Sequence, residues 1–170
     1  TGAEIHDVAV CKYNPAYVLA IGRSGPFKSI NWGINWSGIA YSPASDAEWN
    51  AVAIHPEHQN IILISDEHWG NIYKSIDGGL HWNRVFKHHE ATEGDPQTCA
   101  HGFFDIQFAP SDPSIVYAGM RKGRRSIDGD FPAMASYGMY KSLDGAENWH
   151  EINNGLDTQY MNIHCIAVHP

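Results

Sequence analysis

The sequence has 170 residues, of which 43% are hydrophobic and 12% aromatic, and its formal net charge is −8. This composition supports a packed core and excludes a disordered chain. The acidic excess argues against non-specific binding to nucleic acids or anionic membranes, and no apolar run approaches the roughly 18 residues that a membrane helix needs.

The cysteines define no metal or haem site. Cys11, Cys99 and Cys165 form an odd set without a CxxC pair. At most one disulfide can form among them, and the sequence leaves its pairing open. We expect no cofactor, no nucleic-acid partner and no membrane span.

A segment that predicts strand, turn and strand occurs three times along the chain. The copies "VAVCKYNPAYVLAIG", "VAIHPEHQNIILISD" and "IQFAPSDPSIVYAGM" align without gaps, starting at Val8, Val52 and Ile106. A fourth copy, "IAVHP", begins at Ile166. Each full copy has an apolar stretch, a turn rich in Pro, Asn or Asp, and a β-branched or aromatic run, which predicts two antiparallel strands.

A second repeated segment, here called the box, follows each full copy. It reads "FKSINWGINW" at 27–36, "YKSIDGGLHW" at 73–82 and "YKSLDGAENW" at 140–149. The Lys-Ser pair ends a predicted third strand, and the tryptophan begins a fourth strand after a short turn. Repeats of four short strands over roughly 40 to 50 residues indicate the blades of a β-propeller.

We therefore predict an all-β fold of antiparallel four-stranded blades. The predicted blades cover residues 5–48, 49–103 and 104–162, and residues 163–170 begin a further blade. A β-sandwich also has many short strands, but it does not repeat one turn chemistry in every unit. Because propellers use about four to eight blades, we expect the missing blades to come from the rest of the polypeptide or from neighbouring copies.

The spacing of the box has a structural explanation. A tight turn leaves backbone N–H groups unpaired, and a carboxylate such as that of Asp77 or Asp144 can accept two or three of them. Gly79 permits a left-handed backbone conformation, and the tryptophans pack between neighbouring sheets. We expect the box to stabilise the turn rather than to catalyse a reaction. Its residues are Ser29, Gly33 and Trp36; Ser75, Asp77, Gly79 and Trp82; Ser142, Asp144 and Trp149.

The second box resembles the Asp-box, or BNR repeat (S-x-D-x-G-x-x-W), of sialidase-like β-propellers, and matches it at every position. The third box has Ala146 where the glycine belongs, with Gly145 one residue early, and the first has Asn31 in place of the aspartate. This superfamily includes sortilin-type receptors, xyloglucan-hydrolysing enzymes and a photosystem II assembly factor. The resemblance implies that the boxes lie on the face opposite the ligand site.

Two long segments are predicted to lie on that opposite face. Residues 87–102 join the second blade to the third, and residues 121–138 connect the second and third strands of the third blade. Long loops without secondary structure are usually functional or disordered. The second segment carries a basic cluster that suits an acidic ligand: Arg121, Lys122, Arg124 and Arg125. The alternative is a solvated loop tip in which these residues pair with Asp128 and Asp130.

A loop of the second blade carries the candidate catalytic carboxylates, Asp66 and Glu67. They precede His68 and Trp69, and a carboxylate beside an aromatic ring resembles a sugar-binding subsite. Glycosidic hydrolysis needs two carboxylates across the bond, and no convincing partner is visible. The sialidase set of three arginines, a tyrosine and its acid partner cannot be assembled.

The histidines give weak candidates for a metal site. His88, His89 and His101 form the one local cluster, with Glu90 and Cys99 nearby. Adjacent histidines point in different directions unless the loop folds back, so we expect no metal. His55 and His169 occupy the same strand-end position in two copies of the repeat, which favours a structural role.

We therefore predict a ligand-binding or scaffolding propeller module, from a larger protein, that binds a carbohydrate or a protein partner. A secreted, periplasmic or cell-surface location is expected. The alternative is part of a glycoside hydrolase of the Asp-box type whose catalytic residues lie partly on missing blades.

Overall fold

The computed structural model describes residues 4–39, 48–67, 69–88, 101–122, 138–156 and 163–169. Within these ranges the chain forms three sheets of four strands, and within each sheet the strands that follow one another in sequence pair antiparallel. No helix occurs in these ranges. The prediction of an all-β fold built from four-stranded antiparallel sheets is confirmed.

The strands are short and follow one order in every sheet. The first sheet contains β1 (Ile5–Val10), β2 (Val18–Gly22), β3 (Phe27–Ser29) and β4 (Ser37–Gly38). The second contains β5 (Trp49–Ile54), β6 (Ile62–Asp66), β7 (Asn71–Ser75) and β8 (Asn83–Lys87). The third contains β9 (His101–Phe108), β10 (Val116–Lys122), β11 (Met139–Ser142) and β12 (His150–Glu151).

The three first strands share a bulge at one position. The register skips His6 in β1, Asn50 in β5 and Phe104 in β9, which occupy equivalent places in the aligned repeat. A bulge increases the local twist of a strand. Its repetition therefore gives the three sheets a similar twist, as stacked sheets require.

The core lies between the sheets, in two separate layers. One layer joins the first sheet to the second, and the other joins the second sheet to the third. The second sheet is thus covered on both faces, which explains the runs of aliphatic residues in β5 and β6, where every side chain but that of Ile54 is buried. The side chains of the first layer include Leu19, Ile21, Trp49, Ile62, Ile64 and Tyr73. Those of the second layer include Leu63, Ile72, Phe103, Ile106, Met120 and Tyr140.

Aspartates in β1 and β9 accept hydrogen bonds from the next part of the chain that packs on their sheet. Asp7 in β1 accepts the backbone N–H of Val52 in β5 through Oδ2, at 2.9 Å. Asp105, at the equivalent place in β9, accepts the N–H of Ile166 at 2.5 Å. Burial raises the pKa of Asp7 above its ordinary value, while the N–H groups of Val52 and Val8 oppose this rise.

Residues 163–169 pack on the third sheet as β5 packs on the first, although they pair with no strand in the described part of the chain. Ile163 donates its N–H to the carbonyl of Met120 at 3.3 Å. A Cβ added at Gly119 would lie 2.2 Å from Cγ2 of Ile163, so this contact requires a glycine. The segment occupies the place where the sequence predicts the next blade.

The described residues include no helix long and apolar enough to span a membrane. Cys11 is a buried free thiol and Cys165 an exposed one. Cys99 lies outside the described residues.

Candidate functional site

Serine and aspartate organise the turn of the second box. Ser75 donates its hydroxyl to Oδ1 of Asp77 at 2.9 Å and accepts the N–H of Gly79 at 2.8 Å. The same Oδ1 atom accepts the N–H groups of Leu80 and His81, at 3.0 and 2.9 Å. The backbone N–H of His81 is the largest cause of a pKa for Asp77 lowered to about 2, followed by the His81 ring, whose Nδ1 lies 2.6 Å from Oδ2.

The third box repeats this network. The hydroxyl of Ser142 donates to Asp144, whose Oδ1 atom accepts the N–H groups of Glu147 and Asn148. The bond from the Asn148 N–H makes the largest contribution to lowering the pKa of Asp144. In the first box, the amide Oδ1 of Asn31 accepts the hydroxyl of Ser29 at 3.0 Å and the N–H of Asn35 at 2.9 Å. This neutral oxygen is a weaker acceptor than a carboxylate.

Two successive residues in each box have a left-handed backbone conformation. In the second box both are glycines, Gly78 with φ 75° and Gly79 with φ 92°. The third box has Gly145 with φ 70° and Ala146 with φ 76°. The turn therefore needs a left-handed conformation at two successive positions, which glycine adopts most readily, and Gly145 occupies the first of them. In the first box this place is held by Trp32, with φ 63°.

Each box turn is bonded to the turn between the first two strands of its own sheet. The N–H of Gly78 donates to the carbonyl of Asn60 at 2.9 Å, and that of Gly145 to Ser114 at 2.8 Å. The N–H of Trp32 donates to Ala16 at 3.1 Å. The two kinds of turn therefore lie together at one end of the sheets, here called the box end.

Neighbouring box turns are also joined to one another. Lys74, which precedes the second box turn, donates from Nζ to the carbonyl of Gly145 at 2.8 Å and pairs with Glu147. The indole N–H groups of Trp82 and Trp149 donate to carbonyls of their own turns, at 3.1 and 3.2 Å. Both indoles pack in the layers between sheets, Trp149 with its ring 6.3 Å from that of Phe86.

The opposite end of the sheets is here called the loop end. The last residues of segment 87–102 and the first residues of segment 121–138 lie there. In the third sheet Lys122 pairs with His101, and Arg121 with Gly102. Ser142, at the start of the box, pairs with Val116 near the other end of β10. The ladder thus brings the end of segment 87–102 beside the start of segment 121–138. Residues 89–100 and 123–137, which include Arg124 and Arg125, lie outside the described residues.

The candidate carboxylate Asp66 lies at the loop end of the second sheet with 0% of its surface exposed. Its Oδ1 atom accepts the N–H of Trp69 at 2.8 Å and of Asn71 at 3.3 Å, and Oδ2 accepts the side-chain amide of Asn71 at 2.6 Å. These bonds hold the turn between β6 and β7. A catalytic role for this buried carboxylate stays a hypothesis.

Glu67 and Trp69 lie half-buried beside Asp66. Glu67 donates its N–H to the carbonyl of Glu48 at 2.7 Å. Its backbone approaches the third sheet so closely that a Cβ at Gly102 would lie 2.8 Å from its Cα. Glu67 therefore lies beside the start of β9, next to one end of segment 87–102, and Trp69 lies in the same β6–β7 turn as Glu67. His68 lies outside the described residues.

The metal candidates are only partly described. His88 is fully buried and donates its N–H to Gly70 at 3.3 Å, and His101 forms the start of β9. His89 lies outside the described residues. Within the ranges that the structure covers, no three His, Cys, Asp or Glu side chains are grouped as a metal ion would require.

His55 caps a turn. Its Nδ1 atom accepts the N–H groups of Glu57 and His58, at 3.1 and 3.2 Å, which requires the ring to be neutral with its proton on Nε2. The ring packs 5.1 Å from that of Phe108 in the third sheet. Burial is the largest cause of a lowered pKa for His55.

Sequence reasoning missed the aspartates that link neighbouring sheets. Asp7 and Asp105 each stand one residue before an aligned copy of the repeat, so extending that alignment by one residue would have revealed the pattern. The second copy has Ala51 at this place. Its sheet instead contacts the third through the hydroxyl of Ser65, which donates to the carbonyl of Phe103 at 2.7 Å.

Neither a family model nor a curated protein sequence matches the chain. Among solved structures, the GH74 enzyme of Niastella koreensis has a TM-score of 0.67 at 18% identity, covering 95% of this chain and 24% of that one. An ancestral GH74 enzyme has a TM-score of 0.62 at 20% identity, covering 88% of this chain and 18% of that one. YCF48 bound to D1 peptide has a TM-score of 0.57 at 16% identity, covering 88% of this chain and 40% of that one. The chain spans less than half the length of each of these proteins, and their likeness shows that its fold is that of a β-propeller segment.

Proposed function

We propose that this chain is a ligand-binding or scaffolding module of a larger, extracytoplasmic β-propeller, and that its loop end binds a carbohydrate or a protein. The proposed blades span residues 5–48, 49–103 and 104–162. Other blades, or neighbouring copies, complete the assembly. The boxes, at the other end, stabilise the turns.

The observation that carries this proposal is the pairing of β9 with β10. It supports a shared surface for the two long segments, with Glu67 beside it and Trp69 in the neighbouring β6–β7 turn. Arg121 lies at the start of segment 121–138, and Arg124 and Arg125 follow it in sequence, in a chain of net charge −8. A guanidinium binds carboxylate, sulfate or phosphate groups through two parallel hydrogen bonds, and an indole ring stacks on sugars or apolar side chains.

The first sheet supports the presence of a further blade. Trp82 and Trp149 pack against the sheet that precedes their own, whereas Trp36, at the same place in the first box, is 44% exposed. Val8 and Val10 on the uncovered face of β1 are 51% and 56% exposed. An additional sheet on this face would bury these side chains as the first and second sheets bury their counterparts.

The rival function is glycoside hydrolysis, which the likeness to two GH74 enzymes favours. General acid catalysis needs a carboxyl that reaches the glycosidic oxygen. The oxygens of Asp66 are buried and hold backbone and amide N–H groups, which supports a structural role instead. The YCF48 structure contains a bound peptide, so a peptide is one ligand class for the present chain as well.

The two functions are separated by testing binding and hydrolysis with the same probes. Xyloglucan oligosaccharides and a peptide with a free C-terminal carboxylate are titrated calorimetrically, and the sugar is then assayed for new reducing ends. We expect binding without cleavage, and at least tenfold weaker binding in Trp69→Ala, whereas Leu143→Ser at the box end binds as the wild type does. Failure of both probes to bind would overturn the loop-end assignment. Cleavage that is lost in Glu67→Gln would establish the hydrolase instead.

A further inference from the structure

The box turns expose aliphatic side chains that the turn itself does not use. Serine, aspartate and the left-handed residues form the network of each turn, while the residue after the serine points outwards. This residue is Ile30, Ile76 or Leu143, with 72%, 67% and 60% of its surface exposed. Four residues later, Ile34 and Leu80 are 75% and 56% exposed. We call these five side chains the box-end row.

Missing blades do not account for this exposure. The second sheet already has a sheet on each face. Side chains of the second sheet that are exposed here would therefore stay exposed if further blades were added. Among the described residues from 48 to 88, Ile76 and Leu80 are the exposed large hydrophobic side chains, and both lie in the box turn. Exposed aliphatic residues concentrated on one surface mark an interaction site more often than chance exposure does.

The row is held in a fixed geometry before any partner arrives. The Asp77 and Asp144 networks fix two of the turns, and each turn is also bonded to its neighbour between the first and second strands. Lys74 joins the second box turn to the third. Binding to such a surface orders few new groups, so less of the contact energy is lost to conformational entropy.

The charges beside the row select one class of partner. The box turns and the turns between first and second strands of sheets two and three carry five carboxylates, those of Glu57, Asp77, Asp112, Asp144 and Glu147. Lys74, Lys141 and Arg84 lie nearby on these two sheets, but Lys74 pairs with Glu147 and Lys141 lies over the ring of Tyr117. In the first sheet, this end carries Lys12, which lies over the ring of Tyr13, and Lys28. A second copy would bring the same carboxylates face to face, and an anionic lipid surface would be repelled.

We propose that the box end is a second docking surface, and that it binds a protein segment whose apolar side chains alternate with lysine or arginine. The apolar side chains of the partner contact the box-end row, and its cations meet the surrounding carboxylates. This surface lies opposite the loop end, so it exists whether or not the loop end binds a ligand.

Two synthetic peptides of equal length test this proposal, one alternating leucine with lysine and the other leucine with glutamate. The matched variants are Ile76→Ser/Leu143→Ser, which removes two members of the row, and Leu156→Ser, which removes an exposed leucine that follows β12 at the loop end. Thermal unfolding should be little changed in both, because all three side chains are exposed.

In fluorescence polarisation titrations we expect the lysine peptide to bind the wild type and Leu156→Ser alike, at least tenfold tighter than the glutamate peptide. Binding should weaken at least tenfold in the double variant and also weaken as salt rises. Equal binding to the wild type and the double variant, or no binding of the lysine peptide, would overturn the proposal. Wild-type dimerisation in sedimentation that the double variant abolishes would show that a second copy occupies the surface instead.

Discussion

The carboxylate of Asp7 in the first sheet accepts the backbone N–H of Val52 in the second, across the boundary between two sheets. Val52 is 3% exposed, so water cannot replace this acceptor. Removing it with Asp7→Ala should lower the free energy of unfolding by about 1–3 kcal/mol, measured by urea denaturation. Glu57→Ala removes an exposed carboxylate and should stay within about 0.5 kcal/mol of the wild type. Equal effects of the two substitutions would show that the link contributes nothing.

Asp77 should make the turn sensitive to strong acid. Because its pKa is lowered in the folded state, from 3.8 to about 2, its contribution to stability is present above pH 4 and is lost as the pH falls from about 4 to 2. Melting temperatures of the wild type and Asp77→Asn should therefore differ at pH 6 and converge towards pH 2. A difference that is constant over this range would contradict the assignment.

His55 should make the contact between the second and third sheets sensitive to mild acid. Its pKa is lowered in the fold, so the unfolded chain binds the proton first and stability falls as the pH drops below about 6.5. His58, Glu57 and Lys74 are the ionisable groups that act on it. The variant His55→Asn can still accept the turn N–H groups but does not titrate, so it should lose part of this acid sensitivity. The exposed His150→Asn serves as the control, and equal acid sensitivity in the two variants would contradict the expectation.

Gly79 and Ala146 occupy the same place in two boxes and should respond differently to exchange. A Cβ at Gly79 would lie 2.8 Å from Cγ2 of Ile39, and the backbone there has φ 92°. Gly79→Ala should therefore lower the stability by about 1–3 kcal/mol. Ala146→Gly relieves the backbone but loses a buried methyl group, so its effect should be small. A neutral Gly79→Ala would show that Ile39 moves aside.

The uncovered face of the first sheet should cause self-association of the isolated chain. Val8 and Val10 present more than half of their surfaces to water on this face. Sedimentation at micromolar concentration should show oligomers in the wild type and fewer of them in Val8→Ser/Val10→Ser. A compact wild-type monomer would contradict the need for a further blade.

The fold could be predicted because the local signals repeat. Each copy of "strand, turn, strand" and each box confirmed the others, and the four-stranded sheets follow that pattern. Contacts between blades were harder to predict, because Asp7 and Val52 are far apart in sequence and the aspartate recurs at Asp105 but not in the second copy, which has Ala51. The buried state of Asp66 was also hidden, since its acceptor role depends on the bend that brings Trp69 and Asn71 to it.

The box motif specifies the residues that form the turn, and it leaves the identity of the residues between them open. Serine, aspartate and tryptophan explain how the turn forms, whereas Ile76 and Leu80 follow from no rule of turn formation. Their exposure could be recognised only with neighbouring sheets in place. The left-handed conformation at Gly145 could likewise be recognised only from the backbone angles, because the motif contains one glycine whereas the turn has two left-handed residues.

The hydrogen bond from each box turn to the neighbouring turn also limits which end of the sheets tolerates changes in loop length. Length changes at the bonded end would break a contact that all three sheets share. Insertions after Lys122 begin beyond the ladder between β9 and β10, whose last described pair is Lys122 with His101. A foreign peptide spliced between residues 122 and 138 should therefore be displayed without unfolding the sheet, which makes this chain a scaffold for presenting grafted sequences.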